Sequence, residues 1–361
     1  MASVSARDHL PILDGLRGLA ALVVVISHCA NAQLLPAILG QGFGQMGVGL
    51  FYGLSGLLMG RLYLARAFNR TEITDYAWRR GARVLPLYYA ALAVGVILLF
   101  GFDLSPYHLQ DIQDVLWAAG LLQGTGVLWS IPAEIQFYVV FLGLWWAAQR
   151  RLLLWAIVGL LLLQGLVATA IYSLHGMKYT YSLAFWMHLF LAGTLLGQIS
   201  TRPWFDAVQD RLRRRKEPLL VLGTVVLLLA GVLAPPGVRN AIGVPNTYPF
   251  ADPLSVGYPL ALLVAGLFGA GVMHVFAAPI WRWLGKVSFS VYLVHMPVLL
   301  AVVTIPGTAA LAPALQVVLV FAITFAISAC TQSWIEVKAQ RAILKLEPRN
   351  RPRVPQRSST Y

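Results

Sequence analysis

The first apolar segment of the chain, Leu10 to His28, contains three ionisable side chains: Asp14, Arg17 and His28. Ionisable groups at membrane depth are costly, so they usually face the interior of a helix bundle and mark function. Arg17 and His28 are eleven residues apart, so on a helix they share one face, roughly 16 Å apart along the axis. One helix would then present a permanent cation and a titratable base to the same interior. The alternatives are that Asp14 neutralises Arg17 one turn away and that His28 is a hydrogen-bonded packing residue.

A carboxylate follows at the start of the fourth apolar segment, in the sequence Trp129-Ser130-Ile131-Pro132-Ala133-Glu134. Pro132 suits the first turn of a helix, and the helix dipole would stabilise Glu134 there. Glu134 could simply cap that helix. His28, however, lies near the outer end of its own segment, so the two groups are expected at the same membrane level. A base and a carboxylate that orients it form the pair that general-base catalysis needs.

Three arginines, Arg79, Arg80 and Arg83, precede the third apolar segment. Guanidinium groups match the geometry of phosphate oxygens, so three of them on about one helical turn would form a phosphate clamp. The alternative is that they only anchor the topology, because Lys and Arg accumulate on the cytoplasmic side of membrane proteins.

Two further segments combine small, polar and apolar residues. In the second segment, Ser55 and Gly56 end a run rich in glycine, which lets helices pack closely. The same glycines could instead let a ligand chain lie against the backbone. In the ninth segment, His295 lies two residues before Pro297, and a proline frees a backbone carbonyl in the preceding turn. That pattern indicates a kinked helix that faces a ligand.

The composition is typical of an integral membrane protein. Of the 361 residues, 58% are hydrophobic and 11% are charged, whereas a soluble domain is about half apolar and a quarter charged. The net charge of +13 does not indicate nucleic-acid binding, because the positive residues cluster in loops on one side of the predicted membrane. Cys29 and Cys330 have no neighbouring partner, so we expect neither a disulfide framework nor a metal site.

Ten apolar segments are long enough to span a bilayer. They are residues 11–30, 44–64, 84–101, 127–148, 152–173, 182–199, 218–234, 256–277, 286–305 and 314–333, with a short interfacial or re-entrant piece at 113–126. Lys and Arg fall almost entirely into the loops that share a side with the N-terminus, so the positive-inside rule puts both termini in the cytoplasm. The predicted fold is all-α, a polytopic bundle of about ten transmembrane helices in the plasma membrane.

Two stretches outside the predicted spans have distinctive compositions. Residues 341–361 are rich in Arg, Pro and Ser, so we expect a basic, disordered cytoplasmic tail after a membrane domain of residues 1–340. The longest outer loop, 235–255, contains five prolines. Prolines favour turns over regular structure, so this loop is expected to be a plain connector; the alternative is a cover over an outer groove.

Taken together, these motifs resemble acyltransferase family 3, membrane proteins that move acyl groups, usually acetyl, from acyl-CoA to hydroxyl groups of sugars and related molecules. The matching residues are Leu13 to Gly18 with Arg17 and His28, Phe51 to Gly56, Arg80 with Arg83, Trp129 to Tyr138, Tyr292 to His295, and Trp334 to Glu336. They extend over about residues 8–342, nearly the whole chain. The family often has two adjacent acidic residues where this chain has Glu134 and Ile135, so only Glu134 carries over.

The resemblance implies a role for each of these residues. His28 is expected to be the general base that removes the proton of the acceptor hydroxyl, with Glu134 orienting its ring and Arg17 positioning the cofactor or stabilising the oxyanion. An acyl-histidine intermediate is the alternative. Acyl-CoA, by default acetyl-CoA, is the expected co-substrate, and its expected site comprises Arg79, Arg80, Arg83, Ser55 and Gly56. Support for substrate or structure is expected from Asp14, Trp129, Ser130, Tyr292, His295 and Glu336.

The expected partners are acyl-CoA, the bilayer and a carbohydrate or glycosylated acceptor. Many relatives carry a soluble esterase-like domain that completes the transfer. For this chain we expect transfer to finish in the membrane domain or on a separate extracytoplasmic transferase. The alternative function is a transporter or flippase of a glycan-lipid, because ten spans with intramembrane His, Arg and Glu suit that class as well. No repeat of motifs relates the two halves, which favours the enzyme.

Overall fold

Helices account for the regular structure of the described residues. In a bilayer every backbone N–H and C=O must be bonded within the protein, and a helix achieves this within one segment. The computed structural model describes residues 10–214, 218–244 and 250–346. Its helices are α1 (Pro11–Asn31), α2 (Phe43–Tyr63), α3 (Arg70–Phe102), α4 (Ile112–Ala119), α5 (Ser130–Gln149), α6 (Leu153–His175), α7 (Leu183–Ile199), α8 (Pro203–Arg214), α9 (Pro218–Leu233), α10 (Pro236–Ala241), α11 (Pro253–Phe268), α12 (Pro279–Thr304), α13 (Pro306–Ala309), α14 (Pro313–Thr331) and α15 (Val337–Lys345). The predicted all-α class is confirmed.

Fewer helices than predicted are both long and apolar enough to cross a bilayer. Among the described residues there are six: α1, α3, Gly126–Gln149, α6, α12 and Pro313–Lys345. Two bent pairs, Leu183–Ile199 with Pro203–Leu212 (92°) and Pro253–Phe268 with Gly271–Ala277 (85°), raise the number to eight if each pair is one span. The other two predicted spans are helical, but α2 contains six glycines and α9 has 16 residues. Ten crossings therefore stay a prediction.

Two predicted segments differ in detail from the structure. The segment 256–277 is interrupted at Gly269, whose φ of 62° ends α11 in the left-handed conformation that glycine adopts most easily. At the other end of the chain, α15 continues to Lys345, so the first residues of the predicted tail are helical. Residues 347–361 of that tail lie outside the described residues.

The central helix α1 packs between α2 and α12, and glycines bring the backbones together. A Cβ atom on Gly285 of α12 would overlap the carbonyl oxygen of Asp14 in α1. In the same way, a Cβ atom on Gly56 of α2 would overlap the carbonyl oxygen of Phe190 in α7. Small residues let membrane helices gain van der Waals packing where lipid offers no hydrophobic driving force. These contacts fix the helices that carry Arg17, Ser55 and His295.

The described part of the 235–255 loop is tied down rather than loose; residues 245–249 of this loop, with Pro245 and Pro249, lie outside the described residues. The guanidinium of Arg239 donates to the Asp252 carboxylate at 2.9 Å and to Ser255 Oγ at 3.0 Å, and all three side chains are buried. Burial alone would raise the pKa of Asp252, but the hydrogen bonds from Arg239 and Ser255 outweigh it and hold that pKa below its ordinary value. The two described ends of the loop are therefore held together between α9 and α11.

Candidate active site

Side chains of α1, α2, α3, α5 and α12 meet around a narrow cavity of about 70 Å³, called here the arginine cavity. The i, i+3 spacing puts Arg80 and Arg83 on one face of α3, and Arg17 approaches from α1. The residues that line the arginine cavity and carry a charge or a hydroxyl group are Arg17, Tyr52, Ser55, Arg80, Arg83, Ser130, Glu134, Tyr138, Ser288 and Tyr292. Three of these carry a permanent positive charge and one is a carboxylate, so the cavity has a positive excess.

Neutralisation of these arginines is incomplete. Glu134 Oε1 accepts hydrogen bonds from Ser55 Oγ at 2.8 Å and from Tyr138 Oη at 2.7 Å. Arg17 lies 3.7 Å from Asp14, the predicted pair one turn away. Arg80 is only 7% exposed, and its Nε has no hydrogen-bond partner within the described part of the chain. Buried charges are normally paired, so the cavity is suited to an anionic ligand.

Arg79 lies apart from the other two arginines of its motif. Its Nε donates to Asp75 at 2.7 Å, its side chain is 53% exposed, and it does not line the arginine cavity. The physical reason is the helical period, which turns Arg79 about 100° away from Arg80. Of the predicted set, Arg80 and Arg83 line the arginine cavity together with Arg17, whereas Arg79 lies outside it; which of them bind a cofactor stays a prediction.

Ser55 and Gly56, the two small residues of α2 predicted to bind the cofactor, face different sides of the helix. Ser55 lines the arginine cavity and donates to Glu134. Gly56 faces the other way, where the carbonyl of Phe190 on α7 fills the space that a side chain would need. In the structure Gly56 therefore packs α2 against α7 and does not line the arginine cavity, and its predicted place in a cofactor site stays a prediction.

A wider cavity of about 760 Å³, called here the histidine cavity, lies at the C-terminal end of α1. Its lining side chains that are polar or aromatic are Ser27, His28, Asn31, Gln45, His108, Gln110, Gln123, Thr125, Trp129, Tyr181 and Tyr292. Val48 and Tyr292 line both cavities, so they form the partition between them. Trp129, expected as support, thus belongs to the histidine cavity, and Ser130 to the arginine cavity.

His28 is paired with a second histidine. His28 Nδ1 lies 2.9 Å from the carbonyl oxygen of Val24, and His295 Nδ1 lies 3.1 Å from that of Val291. Because a carbonyl can only accept, each Nδ1 carries the proton, and the tautomers follow from the hydrogen-bond network. The one proton on His28 Nδ1 is then shared between the Val24 carbonyl and His295 Nε2, which lies 3.2 Å from Nδ1. This leaves the lone pair of His28 on Nε2, where a general base needs it.

The expected pair of His28 and Glu134 is replaced by another. Glu134 binds Ser55 and Tyr138 among the arginines, and the ring within hydrogen-bonding distance of His28 is that of His295. The sequence predicts the approximate membrane level of Glu134, but it does not indicate which face of α5 this residue occupies. The face that carries Glu134 is directed at α2 and α3.

The remaining predicted support residues hold the walls of the site. Tyr292 Oη donates to the carbonyl of Val127 at 2.8 Å, which ties α12 to the turn before α5. Glu336 accepts from Ser290 of α12 and lies in a π-helical turn, Gln332–Glu336. Such turns interrupt the regular helix and are frequent at functional sites.

Sequence reasoning missed the polar residues of the loops around the histidine cavity. His108 lies in the connection between α3 and α4, and Tyr181 in that between α6 and α7. Gln45 is in the first turn of α2, and its Nε2 donates to Tyr181 Oη at 3.0 Å. No pattern along the chain marks these residues, because they come together only through the packing of distant helices.

The sequence of the chain is similar to those of known acyltransferases. The family model described as "Acyltransferase domain" matches residues 10–332. Acyltransferase MdmB of Streptomyces mycarofaciens is 26% identical over 328 residues, which is 81% of this chain and 79% of that protein. Peptidoglycan O-acetyltransferase OatA of Listeria monocytogenes is 23% identical over 335 residues, 81% of this chain.

The relatives differ in how much of their length is shared. The match covers 79% of MdmB but 50% of the Listeria OatA, so the chain corresponds to about half of that protein. O-acetyltransferase OatA of Staphylococcus aureus is 26% identical over 152 residues, 37% of this chain and 24% of that protein. No solved structure matches the chain.

Proposed function

The chain belongs to acyltransferase family 3, and from this premise we propose that it is a plasma-membrane O-acyltransferase. The reaction moves an acyl group, by default acetyl, from acyl-CoA to a hydroxyl group of a carbohydrate or glycosylated acceptor. The relatives by name are an acyltransferase, a peptidoglycan O-acetyltransferase and an O-acetyltransferase, which supports this class of reaction and, through the second of them, a carbohydrate acceptor. The proposal includes ten membrane crossings with both termini in the cytoplasm.

The arginine cavity supports acyl-CoA as the donor. Coenzyme A carries phosphate groups, and charge-assisted bonds from arginine are among the strongest that a protein offers to them. In the proposed complex, Arg17, Arg80 and Arg83 bind these phosphates, and Ser55 lies beside the pantetheine arm. Arg80 is buried and its Nε has no hydrogen-bond partner in the described part of the chain, so an anion there would supply an acceptor for this donor.

The histidine pair supports His28 as the general base. His28 Nε2 takes the proton of the acceptor hydroxyl as its oxygen attacks the thioester carbonyl carbon. The carbon–sulfur bond then breaks, and the proton passes from His28 Nε2 to the thiolate of coenzyme A. His295 Nε2 holds the His28 Nδ1–H throughout, which keeps the ring in the tautomer that has its lone pair on Nε2.

A single observation carries the proposal: Tyr292 and Val48 line both cavities. A donor held by the arginines and a hydroxyl held beside His28 can meet only at this partition. Tyr292 is fixed there through its bond to the Val127 carbonyl, so the acyl group has to pass beside its ring. The acylated product can leave directly or pass to a separate extracytoplasmic transferase.

The proposal is tested with purified protein in nanodiscs, [¹⁴C]acetyl-CoA and a panel of methyl glycosides. We expect alkali-labile radiolabel on a glycoside and release of free coenzyme A in equal amounts. A transporter or flippase would give neither, and would instead accumulate glycan-lipid across a proteoliposome membrane. Absence of ester on every glycoside, together with no binding of acetyl-CoA, would overturn the proposal.

A further inference from the structure

We propose that the histidine cavity is the acceptor site and that it takes an uncharged sugar ring, stacked on Trp129 and Tyr181 and hydrogen-bonded to Gln45. The inference rests on the proposed function and adds the chemical class of the acceptor unit. The cavity has a suitable size, because its 760 Å³ lies within the range of about 300–1,000 Å³ that holds small molecules. The arginine cavity is much narrower, at about 70 Å³.

The aromatic pair offers a platform for the apolar face of a sugar. The rings of Trp129 and Tyr181 have centroids 5.0 Å apart and planes inclined at 44°. Trp129 is buried and held between Tyr52 and Trp186, while Tyr181 is 44% exposed at the rim. Side chains with an apolar ring and a polar tip suit a ligand that has apolar faces and polar edges.

The amide groups match the edges of a sugar. A hydroxyl group donates one hydrogen bond and accepts others, and a Gln or Asn amide does both through separate atoms. Gln45 is the informative case: its Nε2 donates to Tyr181, while its Oε1 is buried without a hydrogen-bond partner in the described structure. A buried acceptor of this kind is normally satisfied, and a sugar hydroxyl would supply the donor.

The lining also lacks fixed charge. Among the described residues that line the histidine cavity there is no Lys, Arg, Asp or Glu; its titratable side chains are His28, His108, Tyr181 and Tyr292. A phosphate or carboxylate buried here would be left without a compensating cation, which is unfavourable. The acceptor unit is therefore a neutral ring, and anionic sugars are selected against.

The walls of the cavity are already fixed without a ligand. Tyr107 Oη donates to the carbonyl of Leu293 in α12 at 2.9 Å. Thr125 Oγ1 donates to the carbonyl of Tyr107, also at 2.9 Å. The loop with His108, before α4, and the loop with Thr125, after α4, are thus tied to each other and to the helix that carries His295. A site that is formed in advance binds without the entropic cost of ordering a loop.

The test measures binding apart from transfer, by saturation-transfer NMR on the full chain in nanodiscs. The probes are methyl glucoside and methyl 6-deoxymannoside, each compared with the uronate of the corresponding hexose. We expect signals for the neutral glycosides and at least about tenfold weaker binding, near 1.4 kcal/mol, for the uronates and for the variants Tyr181→Ala and Gln45→Leu. Tyr181→Phe, which keeps the ring, should retain most binding.

The control variant is Trp155→Ala, because Trp155 is exposed on α6 and lines neither cavity. It should bind the glycosides like the unaltered protein, and thermal melts identify any variant that fails to fold. Equal or stronger binding of uronates, or neutral binding unaffected by Tyr181→Ala and Gln45→Leu, would overturn the inference. Because acetyl-CoA binding is measured separately, failure of this inference can be told apart from failure of the proposed function.

Discussion

His295 Nε2 lies 3.2 Å from His28 Nδ1, although 267 residues separate the two in the chain. The carbonyl oxygens of Val24 and Val291 fix the proton positions on both rings. In the proposed mechanism, His295 therefore acts on the reaction through His28, as a positioning residue that, together with the Val24 carbonyl, holds one tautomer and one ring orientation. This is the place that the sequence had suggested for Glu134.

A pair of substitutions at His295 separates this role from simple packing. The amide oxygen of a Gln side chain reaches about as far as Nε2 of a histidine, whereas that of Asn reaches only as far as Nδ1. His295→Gln should therefore keep much of kcat, while His295→Asn should lower kcat about tenfold or more, part of the roughly 10²–10⁴-fold that a positioned base supplies. The KM for acetyl-CoA should stay constant in both. Equal kcat values for the Gln and Asn variants would remove His295 from this role.

Within the arginine motif, Arg79 serves as the control for a test of acetyl-CoA binding by Arg83. Arg83→Ala should raise the KM for acetyl-CoA about tenfold or more, because a hydrogen bond to a charged group contributes roughly 1.5–3 kcal/mol. Arg79→Ala breaks a half-exposed pair with Asp75, so it should change that KM by less than about threefold. Steady-state kinetics at saturating acceptor measure both. An equal increase in the KM for acetyl-CoA in Arg83→Ala and Arg79→Ala would contradict the proposed role of the arginine cavity.

Gly56 provides a test of packing against cofactor binding. Gly56→Ala places a methyl group on the Phe190 carbonyl, so α2 and α7 have to move apart, and overpacking of this kind costs about 1–3 kcal/mol. The melting temperature in detergent should fall. Gly143→Ala is the control, because nothing lies within 4 Å of a Cβ atom there. A normal melting temperature together with a raised KM for acetyl-CoA in Gly56→Ala would return this glycine to the cofactor site.

The crossings by α2 and α9 are tested by labelling introduced cysteines in a Cys330→Ser background. Gln41 and Asn69 flank α2, and Thr201 and Ile242 lie on the two sides of α9. In the ten-span arrangement, cysteines at Gln41 and Ile242 react with an impermeant reagent added outside, and those at Asn69 and Thr201 react only after permeabilisation. Labelling of both members of a pair from one side would mean that the helix between them does not cross.

Local sequence patterns predict where helices lie, but not how each helix is rotated about its axis or which distant helices come into contact. Apolar runs locate the helices, and the i, i+3 spacing correctly joins Arg80 to Arg83, because both signals are local. Arg79 lies outside the arginine cavity because the helical period turns it away from Arg80, and a count of charges does not show that rotation. Pairing His28 with His295 depends on how α1 lies against α12, which no local pattern encodes. The sequence does not predict the bend at Gly269, because a single glycine within an apolar run is also compatible with a continuous helix.

The most direct test of the central claim compares acyl transfer by the unaltered protein and by His28→Ala. The measurement is the initial rate of alkali-labile ester formation from [¹⁴C]acetyl-CoA, together with the Kd for acetyl-CoA. His188→Ala is the control, since that histidine lies on α7, pairs with Gln164 and lines neither cavity. If His28 is the general base, His28→Ala lowers kcat by at least about 10²-fold with an unchanged Kd, and His188→Ala keeps its rate. A His28→Ala protein that retains more than about a tenth of the rate would contradict the assignment.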